Sequence, residues 1–76
     1  MKKLRFAILH ALSLSGRTTI SEIISKAGLA TYTESQLVAA TKHLEVLGLI
    51  KPLGGKFPEV TAEVTPFGKE VLVAVI

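Results

Sequence analysis

The sequence predicts an α+β fold: three helices, a two-stranded hairpin and a closing fourth helix. Three observations lead there. Apolar residues recur at helical spacing in three separate stretches. Two Thr-led capping boxes, Thr19-Ile20-Ser21-Glu22 and Thr33-Glu34-Ser35-Gln36, mark where helices begin. Gly54-Gly55 stands between two short runs of strand-forming residues, as the turn of a hairpin does. At 76 residues the chain is expected to be a single domain, 1–76, with a thin margin of stability.

The first helix should run from Lys3 to Leu14, with Leu4, Ile8, Ala11 and Leu12 on its buried stripe and Phe6 and Leu9 widening it. Ser15-Gly16 ends it, because glycine readily adopts the left-handed C-terminal conformation. A short extended link, Arg17-Thr18, leads to the first capping box, in which the Thr hydroxyl accepts from the Glu22 amide and the Glu carboxylate reaches back. The second helix buries Ile20, Ile23, Ile24 and Ala27 and stops at Gly28. The second capping box opens the third helix, whose apolar positions Leu37, Ala40, Leu44 and Leu47 share one side, and Gly48 ends it. The segment Ala30-Thr31-Tyr32-Thr33 makes the connection between these two helices longer than the usual three or four residues.

Leu49–Leu53 then reads as a strand, and Val60, Ala62 and Val64 alternate with Thr61 and Glu63 as its return. Pro52 and Pro58 mark edge or bulge positions, since proline cannot donate to a ladder. Thr65-Pro66 supplies the N-cap and first position of a last helix, Phe67 to Val75, although its β-branched end could also finish as a strand. Helix, link, helix, turn, helix, hairpin, helix is the order of a winged helix-turn-helix.

Composition narrows the function. With no cysteine, disulfide scaffolds, thiol catalysis and zinc ribbons are excluded. His10 and His43 lie far apart without neighbouring carboxylates, so no metal is expected, and nothing points to another cofactor. No nucleophile–base set, glycine-rich phosphate loop or paired carboxylates can be found; the expectation is a protein that is not an enzyme and has no small-molecule substrate. The net charge of +3 is unevenly placed. Residues 1–17 carry Lys2, Lys3, Arg5 and Arg17 and no acid, whereas acids match or exceed bases in the remainder. A nucleic-acid partner is allowed, without the broad basic stripe such proteins often have. The basic start and apolar run of MKKLRFAILHALSLSG also suit an export signal, but His10 interrupts the run and no small-x-small cleavage site closes it. The same segment is too short to span a bilayer, so no membrane association and a cytoplasmic location are expected.

Three stretches carry a resemblance that covers nearly the whole chain. ISEIISKAGL (20–29) is similar to the first helix of a helix-turn-helix, KHLEVLGLIK (42–51) to a recognition helix running into a wing strand, and VTAEVTPFGKEVL (60–72) to the second wing strand and closing helix. Together they resemble the small prokaryotic winged-helix transcriptional regulators of the multiple-antibiotic-resistance type and their archaeal relatives. The resemblance implies double-stranded DNA as partner, the third helix in the major groove and the wing on the backbone.

Turning the third helix by about 100° per residue places Ser35, Ala39, Lys42 and Val46 opposite its core side, with Gln36 and His43 on one flank and Val38 on the other. The DNA-binding candidates are then Thr33, Ser35, Gln36, Ala39, Lys42, Lys51 and Lys56. Ser35 and Gln36 offer hydrogen bonds to base edges, and Ala39 can touch only a thymine methyl. Lys42 suits a phosphate, while Lys51 and Lys56 flank the wing turn. Plainer readings stand beside these: Thr33, Ser35 and Gln36 as cap, Lys42 as a solvated surface lysine, and Lys51 and Lys56 as charges that keep a hairpin edge from pairing. His43 is expected to be half-buried packing, and Tyr32 to pack under its loop or to offer a hydroxyl to a phosphate. Thr19 and Ser21 open a helix whose amides could hold a phosphate.

No arginine lies on the reading helix. Its outer face could therefore meet another protein through Val38, Ala39 and Val46, and a winged-helix interaction module without DNA binding is the alternative reading. The apolar end Val71–Ile76 and the excess on the first helix predict a homodimer through Phe6, Leu9, Leu72, Val73 and Ile76.

Overall fold

A computed structural model describes residues 2–75 of the chain. Its elements are α1 (Lys2–Ser15), β1 (Thr18–Thr19), α2 (Ile20–Lys26), α3 (Glu34–Val46), β2 (Ile50–Gly54), β3 (Thr61–Val64) and α4 (Pro66–Val75). This is an α+β fold of four helices and a small antiparallel sheet, in winged helix-turn-helix order. The C-terminal run is helix, not strand, through Val75.

α1 sits at the centre, packed against α2, α3, α4 and β3. A helix with neighbours on so many sides buries more than a narrow stripe. Leu4, Ile8 and Leu12 are almost wholly buried, and so is Leu9, which was expected at the dimer surface. Leu72 of α4 is likewise buried within the chain. Both leucines complete the core of this molecule and are removed from any surface a second copy could meet. Phe6 and Val73 remain exposed, and Ile76 lies outside the described residues.

The expected two-stranded wing is a three-stranded sheet. Thr18 and Thr19 form β1 and pair with β3 in the register Thr18↔Ala62 and Thr19↔Thr61, giving the order β1-β3-β2. Two extended β-branched residues before a helix are enough to extend a ladder once a strand edge lies beside them. This pairing also changes the start of α2. Thr19 caps it by accepting from the Glu22 amide at 3.2 Å, but the carboxylate of Glu22 accepts from the Thr18 hydroxyl instead of reaching back to Thr19. Ile20 N–H donates to the Val60 carbonyl at 3.0 Å and Ser21 N–H to the Pro58 carbonyl at 2.7 Å. The α2 amides expected to be open to a phosphate are thus taken by the wing.

α2 and α3 both end in the glycine turn that closes a helix on itself. After α2, Gly28 at φ +68 lets Leu29 N–H return to the Ile24 carbonyl at 2.9 Å. Leu29 is thereby buried, and Tyr32 packs half-buried against the core, as the plainer reading of that loop expected. After α3, Gly48 at φ +75 lets Leu49 N–H return to the Leu44 carbonyl at 3.0 Å. Here the structure departs from the helical pattern: Leu47, expected on the core side, is half exposed. Leu47 keeps helical backbone angles and its N–H donates to the His43 carbonyl, but it is the C-cap, and the glycine turn that follows carries Leu49 into the buried place instead. Thr41 fills the helix face instead, its hydroxyl donating to the Leu37 carbonyl at 2.8 Å so that its buried oxygen has a partner.

Thr65 joins the end of α3 to the start of α4. Its hydroxyl accepts from Gly68 N–H at 3.0 Å, capping α4, and donates to the Gly48 carbonyl at 2.6 Å. The two motifs that carry the resemblance, the exit from the third helix and the opening of the last, are in direct contact.

Candidate nucleic-acid interface

α3 presents its face because its start is held firmly. The expected capping box is complete: Thr33 Oγ1 accepts from Gln36 N–H at 3.2 Å and Thr33 N–H donates to Gln36 Oε1 at 2.9 Å. The box has a chemical consequence. Gln36 can read adenine only by accepting and donating at once, and its oxygen is held by the cap. The NH2 group is wholly free, a donor suited to guanine, to thymine O4 or to a phosphate, while the oxygen keeps one lone pair in a position the cap fixes.

Ser35, Ala39, Lys42 and Val46 are all exposed, on the side of α3 away from Leu37 and Leu44. They line one shallow trough together with Glu34, Val38 and His43. A second depression lies between α3 and the wing, where Val38, Lys42 and Glu45 face Pro52, Gly55 and Val60. Lys42 borders both, so the helix face passes into the wing without a break. Thr33 stands exposed at the head of this surface.

The wing is longer than a glycine-glycine turn. β2 runs through Gly54, which pairs with Thr61 after a register shift beyond Pro52. Residues 55–60 form the tip, drawn in by Glu59 N–H donating to the Lys56 carbonyl at 2.7 Å. Gly55 is required there, since a Cβ would lie 2.9 Å from the Glu59 carbonyl oxygen on a backbone already at φ +91. Lys51 and Lys56 are both exposed. Lys51 stands opposite Glu63 across the ladder, but Glu63 pairs with Arg17 at 3.5 Å. Among the described residues, no carboxylate lies within salt-bridge reach of Lys42, Lys51 or Lys56.

Two features of this surface were not evident in the sequence. Glu34 is an acid on the trough itself, placed at the first turn of α3 where a carboxylate favours the helix dipole. His43, expected to be half-buried, is exposed, and the Arg5 guanidinium of α1 lies against its imidazole, within reach of both ring nitrogens. These residues are 38 positions apart, and only the packing of α1 across α3 brings them together. The N-terminal excess of basic residues was the one available signal, and it carried no address.

No family model matches the chain, and no curated protein matches it. Among solved structures it is similar to the transcriptional regulator BldR from Sulfolobus solfataricus, at 27% identity and a TM-score of 0.72. The similarity covers 95% of this chain and 50% of the regulator, so the chain spans about half of that protein's length. No helix among the described residues is long and apolar enough to cross a membrane.

Proposed function

We propose that this chain binds double-stranded DNA as a cytoplasmic transcriptional regulator, with α3 in the major groove and the wing on the backbone. The observation that carries this reading is the continuity of the α3 face with the wing at Lys42. The likeness to a transcriptional regulator over most of the chain supports it. Thr33, Ser35 and the NH2 of Gln36 approach base edges or sugar, Ala39 packs on a thymine methyl, and Lys42, Lys51 and Lys56 take phosphates. The protein acts by binding and carries out no reaction. It works as a homodimer joined through Phe6 and Val73, which sets two α3 helices on half-sites about one helical turn apart.

Salt titration of duplex binding tests the reading. Each phosphate contact contributes roughly 0.9 to the slope of log affinity against log salt. The three lysines should therefore contribute a slope near 3 per subunit, and Lys42→Ala with Lys56→Ala should lower it by about 2. Absence of salt-sensitive binding by the parent protein at low ionic strength would overturn it.

A second reading, a winged-helix subunit that meets another protein, is favoured by one observation: Val38 and Val46 are exposed on the same trough, Val46 at 77%. In that case Val46→Lys abolishes partner capture, whereas on DNA the added cation strengthens binding.

A further inference from the structure

We infer that Arg5 is a phosphate-contacting residue of the same interface, held on it by His43. The inference rests on the DNA reading above and extends it to a part of the chain outside the helix-turn-helix. The Arg5 guanidinium lies against the His43 imidazole, with its Nη1 within reach of both ring nitrogens, at the edge of the trough that Lys42 and His43 line together. An imidazole, unlike a carboxylate, carries no negative charge, so contact with it fixes the position of the guanidinium without cancelling its charge. The remaining N–H donors stay available in the fork that fits a phosphate. The contrast with the other partnered cations is direct. Arg17 is matched with Glu63 at 3.5 Å and Lys26 with Glu22 at 3.7 Å, whereas no carboxylate among the described residues reaches Arg5.

The location also fits. A helix lying in the major groove has phosphate rows on both sides, and the wing serves only one of them. Arg5 projects from α1 onto the His43 flank of α3, while the depression toward the wing opens on the Val38 flank. Arg5 and the wing lysines therefore bracket the reading helix. Pre-positioning matters for a long side chain, because an arginine already held at its working place has less freedom to lose on binding. His43 is accordingly a positioning residue, with no contact to DNA of its own.

The experiment measures duplex affinity across salt concentrations for the parent, Arg5→Gln, Arg5→Lys, His43→Ala and the Arg5→Gln/His43→Ala double variant, with circular dichroism confirming each fold. Arg5→Gln should weaken binding several-fold and lower the salt slope by about 1, the share of one phosphate. Arg5→Lys should restore the slope. His43→Ala should weaken binding with the slope retained, and should add nothing in the Arg5→Gln background. Should the parent bind with a salt slope that Arg5→Gln leaves unchanged, the inference is overturned while the DNA reading stands. Should the parent show no salt-sensitive binding, both fall. If His43→Ala weakens binding equally with and without Arg5, the positioning role is overturned.

Discussion

Gly68 lies against Leu49 so closely that a Cβ on it would sit 2.2 Å from the Leu49 carbonyl oxygen and 2.7 Å from a methyl of Val64. The first turn of α4 is thus seated directly on the strand that leaves α3. Neither obstacle is the free end of a flexible chain, so the backbone itself has to yield. Gly68→Ala should cost about 1–3 kcal/mol or more. In a domain of this size that lowers the melting temperature by roughly 5–20 °C, readable by thermal circular dichroism. An unchanged melting temperature would show that the junction can open without loss.

Gln36 has two separable duties, and one substitution parts them. Glu at this position keeps an oxygen for Thr33 N–H, so the cap survives, while the NH2 donor is replaced by a charge. Gln36→Glu should leave the melting temperature within a degree or two and weaken duplex binding by roughly tenfold or more, the scale on which one base-edge interaction discriminates. Thr33→Ala is the converse: it removes the hydroxyl that caps α3 and should cost about 1 kcal/mol. Undiminished binding by Gln36→Glu would reduce Gln36 to its cap.

Glu34 places a negative charge where a duplex would bring its own. Glu34→Gln should raise affinity for an arbitrary duplex roughly two- to fivefold, the scale of an exposed charge interaction. The gain should shrink as salt is added. Weaker binding in the variant would instead identify Glu34 as an acceptor for cytosine, specific to sites that carry it.

The dimer proposal now depends on a smaller set of residues. Val73 is 79% exposed, so Val73→Glu should leave the fold intact. Sedimentation should then show a dimer of the parent at tens of micromolar and a monomer of the variant. A monomeric parent at that concentration refutes the dimer outright.

What the sequence made legible was local. The glycine ends of the first three helices and the Thr33–Gln36 box involve residues a few positions apart, and such contacts follow from short-range geometry. The elements that escaped are those made by partners far along the chain. β1 has two residues, too few to show alternation, and exists because β3 lies next to it. Leu9 read as surplus because periodicity cannot count the neighbours of a central helix. Leu47 is exposed because the glycine turn after α3 gives the buried place to Leu49, and Thr41 escaped notice because a hydroxyl does not enter an apolar pattern. For the interface the same division holds: the α3 face followed from a helical turn of about 100° per residue, whereas Arg5 and His43 required the fold.

The bonds from Ile20 and Ser21 to the carbonyls of Val60 and Pro58 make the wing a fixed jaw rather than a free arm. The other jaw, α3, is rooted by its cap and by the Thr65 clasp. On the proposed DNA reading, a duplex held between α3 and the wing would have to match their spacing or bend to it. Sequences that narrow or kink cheaply would be preferred even at base pairs no side chain reaches.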